Sequence, residues 1–128
     1  MPVKTNFPVA TYIKFSTSDS SLVVGDVVAL EAGVSNSVIR ADASDETKMP
    51  AIGIAKSVGS SSAIIQLNYS YRLPYSISIS AGDEIYVDPA NPGKVISTVP
   101  TTGILQKIGN AKNSNTILLS IDNFSINL

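Results

Sequence analysis

The chain has no cysteine, no histidine and no tryptophan. Without cysteine there is no disulfide, no zinc–thiolate site and no thiol nucleophile. Without histidine the commonest general base and the commonest transition-metal ligand are missing. A serine nucleophile would then need a lysine beside it. The nearest approach, Ser44-Asp45-Glu46-Thr47-Lys48, lacks the Ser-x-x-Lys spacing. Charge is scarce and balanced, with 9 Lys and Arg against 10 Asp and Glu and a net charge of −1. That gives no electrostatic footprint for nucleic acid or an anionic membrane as a partner. No apolar run approaches the ~18–20 residues that span a bilayer. Met1–Asn6 has no basic start followed by a long apolar core, so no secretory signal is expected. These absences point away from an enzyme, a cofactor or a metal site.

What is present favours strands and turns. Val, Ile, Ser and Thr dominate, and 128 residues make one domain by size. The clearest unit runs from Ser80 to Ser97. In Glu84-Ile85-Tyr86-Val87, Ile85 and Val87 share one face and Glu84 and Tyr86 the other, the period of a half-buried strand. Asp88-Pro89-Ala90-Asn91-Pro92-Gly93 stops it, because proline lacks an amide donor and glycine tolerates positive φ. Lys94-Val95-Ile96 returns, which completes a β-hairpin.

The same grammar occurs earlier. Gly25-Asp26 matches Gly82-Asp83, Val27–Leu30 matches Glu84–Val87, Val38-Ile39 matches Val95-Ile96, and Ile52-Gly53-Ile54-Ala55 matches Ile108-Gly109-Asn110-Ala111. A polar turn and a last apolar strand follow in each, Ala63–Leu67 and Thr116–Ile121. The expectation is an all-β fold, a small barrel or sandwich of two similar units spanning about 22–67 and 79–121, since neither could bury its apolar face alone. An extended arm, residues 1–11, precedes one β domain, residues 12–128. In the weakly alternating stretch Val9–Phe15, Val9, Ile13 and Phe15 are the candidate inward residues. Ile104–Ala111 reads as one strand, Asp122–Leu128 as a tail, and Ala41–Lys48 as the one stretch able to form a helical turn, capped by Asp42 or Ser44.

Few residues suggest a site. Asp42, Asp45 and Glu46 offer oxygen ligands without the spacing of a calcium loop, and Asp83 and Asp88 suit turn hydrogen bonds. Tyr69, Tyr71, Tyr75 and Tyr86 combine apolar faces with polar tips; they would suit a sugar-binding surface, a core edge or a subunit contact. Pro2, Val3, Phe7 and Pro8 in the arm are further candidate partner contacts, because an extended segment can add to a neighbour's sheet.

With these phrases in order, the chain resembles the capsid cement or decoration proteins of tailed bacteriophages and the related shell-binding β-domains of head fibres. Ser80–Val87 is similar to their recurring Ala-Gly-Asp-x-(Ile/Val/Leu)-Tyr-Val phrase. Gly93–Thr98, Gln106–Ala111 with Asn115–Leu119, and Met49–Ala55 carry the rest of the likeness. The resemblance implies a non-enzymatic virion protein on the capsid surface. Its partner would be the major capsid protein, with self-association as a trimer or another small oligomer, and it transfers no site residues. A glycan- or receptor-binding module of a phage fibre or tail is the alternative, with a surface glycan as its ligand.

Overall fold

The alternation of apolar and polar residues becomes strand pairing in the computed structural model, which describes residues 9–122 and 124–128. No α-helix occurs among the described residues. The first sheet contains β1 (Tyr12–Ser16), β2 (Val27–Leu30), β3 (Val38–Arg40), β4 (Ala51–Val58) and β5 (Ser62–Gln66), in the order β1-β5-β4-β2-β3. The second contains β6 (Asn68–Arg72), β7 (Glu84–Val87), β8 (Val95–Ile96), β10 (Lys107–Ala111) and β11 (Thr116–Ser120), in the order β6-β11-β10-β7-β8. Read unit by unit, the two orders are the same. A small ribbon of β9 (Ile104–Leu105) and β12 (Ile126–Asn127) is added at one end.

The duplication holds at the level of single hydrogen bonds. Gly25 and Gly82 have φ of 93° and 92°, and their amides donate to the carbonyls of Ala55 and Ala111. Asp26 and Asp83 each turn a carboxylate back onto their own turn, at 3.0 Å from the Val23 amide and 2.9 Å from the Ser80 amide. Each unit has a bulge at the same place, and the first unit has a second one between Ala55 and Ser57 of β4. Val28 faces Gly53 and Ala29 faces Ala51, which leaves Ile52 extra; Ile85 faces Gly109 and Tyr86 faces Lys107, which leaves Ile108 extra. An extra residue increases the local twist of a strand.

The sheets form a sandwich, with no closed barrel. Val27, Ala29, Ala51 and Ile54 on one face of the first sheet meet Ile85, Val87, Ile108 and Ile117 of the second in a single core. Each fully buried Ile or Val contributes on the order of 1.5–3 kcal/mol. The first sheet also curls around a smaller cluster of Leu22, Val28, Val38, Ala55, Ala63 and Ile65, so β2 is buried on both faces. The curl brings β1 to β3 at one parallel bridge, Ser16 to Ser37.

Four expectations need correction. Val9 and Ile13 are exposed and only Phe15 packs inward, because β1 is an edge strand whose face the core does not reach. The segment Ile104–Ala111 is broken into β9 and β10 at Gln106, whose side chain leaves the ladder to bond β4. The tail contains β12, paired with β9. The helical turn is a 3-10 turn, Glu46–Lys48, capped by Asp45, whose carboxylate accepts from the Thr47 amide at 2.9 Å. The N-terminal arm lies largely outside the described residues.

The paired glycines provide a test. An alanine at Gly82 meets no atom within 4 Å, whereas one at Gly25 runs into the Pro74 ring. Gly82→Ala should cost about 1–2 kcal/mol from backbone strain alone. Gly25→Ala should cost about 1–3 kcal/mol more from overpacking. Urea unfolding midpoints compared with the parent chain measure both, and equal losses would mean that the turns are packed alike.

Candidate functional site

The most concentrated polar chemistry lies where the two units meet. The first unit supplies the turn Gly25-Asp26 and the second supplies the turn Gly93-Lys94. The Val27 amide donates to the Gly93 carbonyl at 2.8 Å, and the Gly93 amide donates to the Ala41 carbonyl at 2.8 Å. A side chain at Gly93 would strike Asp26, so only glycine lets the turns approach this closely. Asp26 is 1% exposed, and its carboxylate accepts from the Lys94 ammonium at 2.6 Å. The Lys94 stem carries that ammonium past the Tyr75 ring, 5.1 Å from its centroid. A buried carboxylate is costly unless it is paired and hydrogen-bonded. Here one unit supplies the charge and the other neutralises it.

Tyr71 and Tyr75 belong to this junction. The Tyr71 hydroxyl donates to the Ala55 carbonyl at 3.0 Å. Burial pushes its pKa up to about 12, and the Asp26 charge adds to the effect. Burial likewise pushes Tyr75 up to about 12, with Asp26 adding to it and the Val95 backbone amide opposing it. The Tyr75 hydroxyl has no hydrogen-bond partner of normal geometry.

Of the four tyrosines considered as a surface, then, Tyr71 and Tyr86 are buried, Tyr75 is half-buried against the core, and only Tyr69 exposes its ring. Tyr69 has φ of 72°, which turns it away from the regular strand. The structure brings Tyr71 and Tyr75 together as a packing pair and leaves Tyr69 apart. Pro2, Val3, Phe7 and Pro8 lie outside the described residues.

The acidic residues serve local structure. Asp42 accepts from the Ser44 amide and Asp88 from the Ala90 amide. On the outer face of the second sheet the Tyr86 hydroxyl donates to Glu84, and Lys107 lies 3.5 Å from Glu84. The tyrosine bond, with Lys107 adding to it, holds Glu84 below the usual carboxylate range; the same bond raises Tyr86. Among the described residues no group of acidic side chains has a metal-binding arrangement. Two open depressions, of about 530 Å³ and about 450 Å³, lie beside Arg72, Pro74 and Asn115 and beside Pro50, Leu67 and Gln106. Neither brings a nucleophile next to a base.

Sequence reasoning missed Lys94 and Gln106. Lys94 looked like an ordinary strand-start residue, and its partner is 68 positions away. Gln106 is buried, and its amide bonds both the N–H and C=O of Ala51, at 2.7 and 3.0 Å, and the Asp122 carbonyl at 2.9 Å. A glutamine inside an apolar strand was the available signal, because a buried amide needs partners.

Two measurements test the junction. Lys94→Met leaves Asp26 buried and unpaired; stability should fall by about 2–3 kcal/mol, below the cost for a fully enclosed pair because Lys94 is partly exposed. Adding Asp26→Asn should recover part of that loss in chemical denaturation, a positive coupling in the double-mutant cycle. In alkali, Tyr71 and Tyr75 are protonated in the fold up to about 12 but ionise near 10 once unfolded. The folded state therefore holds more protons between those values, and stability should fall as pH rises from about 10 to about 12. Phenolate absorbance should report a late-ionising class that disappears in the Tyr71→Phe, Tyr75→Phe double variant.

Compared with known proteins, the chain matches no family model, no curated protein and no solved structure.

Proposed function

We propose that this chain is a structural virion protein of a tailed bacteriophage that binds the outer capsid surface, to decorate or stabilise it or to anchor a head fibre. The observation that carries the reading is the doubled β-unit. The phrases that resemble cement proteins, Met49–Ala55, Ser80–Val87 and Gln106–Ala111, lie at or beside matching turns and bulges of the two units. Such a body is stiff, covers most of its strand edges and keeps its polar chemistry for turns and the junction. Those properties suit attachment better than turnover, and we assign it no reaction and no cofactor. The major capsid protein is the proposed partner, with the chain acting as a small oligomer, a trimer in the family it resembles. The alternative, recognition of a glycan or receptor, draws less support: it needs the rings of Tyr69, Tyr71 and Tyr75 on one surface, and two of them pack inside.

The test is stoichiometric co-purification with empty heads. The full chain should occupy heads at a fixed ratio, and deleting residues 1–8 should abolish occupancy. Occupancy unchanged by the deletion would refute the role of the arm. Failure of the full chain to bind heads, together with glycan-array binding lost in Tyr69→Ala, would favour the alternative.

A further inference from the structure

Three ion pairs occur among the described residues, and one is unlike the others. Arg40 with Asp19 and Lys107 with Glu84 lie where water reaches both partners. Lys94 with Asp26 sets an ammonium 2.6 Å from a carboxylate that is 1% exposed. The two residues stand 68 positions apart and belong to different units. An amine held against a carboxyl group in a nearly dry pocket is the pair of reactants from which an amide is made.

Three features keep these reactants in place. The first is Gly93. A Cβ there would stand 2.8 Å from Cγ of Asp26, so the backbone just before Lys94 already rests on the carboxyl carbon. Two backbone hydrogen bonds of 2.8 Å, from the Val27 amide to the Gly93 carbonyl and from the Gly93 amide to the Ala41 carbonyl, fix that approach. The second is the Val23 amide, which donates to Oδ2 of Asp26 at 3.0 Å and leaves Oδ1 to the lysine. One carboxylate oxygen thus faces a fixed N–H donor and the other faces the nucleophile. The third is the Tyr75 ring, whose centroid lies 5.1 Å from Nζ and confines it on one side. Positioning of this kind turns an encounter between two groups into a unimolecular step.

Asp83 supplies an internal contrast. It closes the equivalent turn onto the Ser80 amide at 2.9 Å, yet no lysine pairs with it among the described residues. The reactive arrangement therefore belongs to the junction and not to the Gly-Asp turn as such.

We propose that Nζ of Lys94 and Cγ of Asp26 become joined in an intramolecular amide, a covalent tie between the two units. No co-reactant is needed. One proton passes from the ammonium to Oδ1 along the 2.6 Å hydrogen bond, which leaves an amine beside a carboxylic acid. The nitrogen lone pair then attacks Cγ and forms the N–C bond. Negative charge gathers on Oδ2, where the Val23 amide stabilises it. The Cγ–Oδ1 bond breaks, and Oδ1 leaves as water with a second proton from the nitrogen. The third proton stays on the new amide. Lys94 is partly exposed, which gives the water a way out, while the burial of Asp26 leaves little water for the reverse reaction. A chain without cysteine cannot make a disulfide. An amide between residues 26 and 94 would close a long loop in its place and so remove entropy from the unfolded chain.

The tie does not depend on the capsid reading, and its test uses the purified full chain alone. Intact-mass spectrometry under denaturing conditions should give the sequence mass less one water. Trypsin should release Phe15–Arg40 joined to Leu73–Lys107, because an acylated Lys94 is not cut. Tandem fragmentation should place the link at Asp26 and Lys94. Lys94→Arg keeps a cation and removes the nucleophile; it should restore the full mass and give unlinked peptides. A parent chain that keeps its full sequence mass after prolonged incubation in neutral buffer would overturn the proposal. So would a lost water that maps to another residue or persists in Lys94→Arg. The mass and peptide map of the parent chain decide the question even if the variant fails to fold.

Discussion

Asp26 is an anion without water, and the fold is arranged so that this is tolerable. Its own turn satisfies one carboxylate oxygen and the second unit's Lys94 satisfies the other. The close approach that makes this possible depends on two glycines. Gly25 lets Pro74 and Tyr75 lie on the turn, and Gly93 lets the second hairpin reach Asp26. Around that contact the apolar faces of two sheets close. Without it, a buried carboxylate would lose its cationic partner, and breaking a buried pair in that way is strongly destabilising.

The two units share topology, register and bulge, yet they are used differently. The face of the first unit that carries Val27, Ala29, Ala51 and Ile54 is buried against the second unit. The matching residues of the second unit are Glu84, Tyr86, Lys107 and Asn110, a polar set in which Glu84 is exposed and the buried Tyr86 donates its hydroxyl to it. If both faces were apolar, units could stack without end; polarity on one of them stops the series at two. The strand edges show similar economy. Thr17, Asp19 and Gln66 each turn a side chain onto a free backbone group, which blunts an edge without a further strand.

Much of the fold was legible because it is local. Gly-Asp turns, alternating strands and a proline-rich hairpin loop follow from backbone sterics and side-chain period, and Ile85 and Val87 are buried as the alternation implies. The inward assignment of Val9 and Ile13 failed because alternation marks which residues share a face, and position in the sheet then decides whether that face is covered. The tyrosines were ambiguous for a related reason. A ring with a polar tip suits a surface or a core with a carbonyl nearby, and Tyr71 found the Ala55 carbonyl. The strand split at Gln106 was hidden because its partners at Ala51 and Asp122 lie on other elements.

The contrast between Asp26 and Asp83 separates the two kinds of information. Both follow a glycine of the same φ, and both close the same turn onto an amide three residues back. That much the sequence determined, because a turn is made by neighbours in the chain. Whether the carboxylate then meets water or Lys94 was decided only when one unit settled on the other. Burial and charge pairing depend on distances between residues far apart in sequence, and no local pattern encodes them.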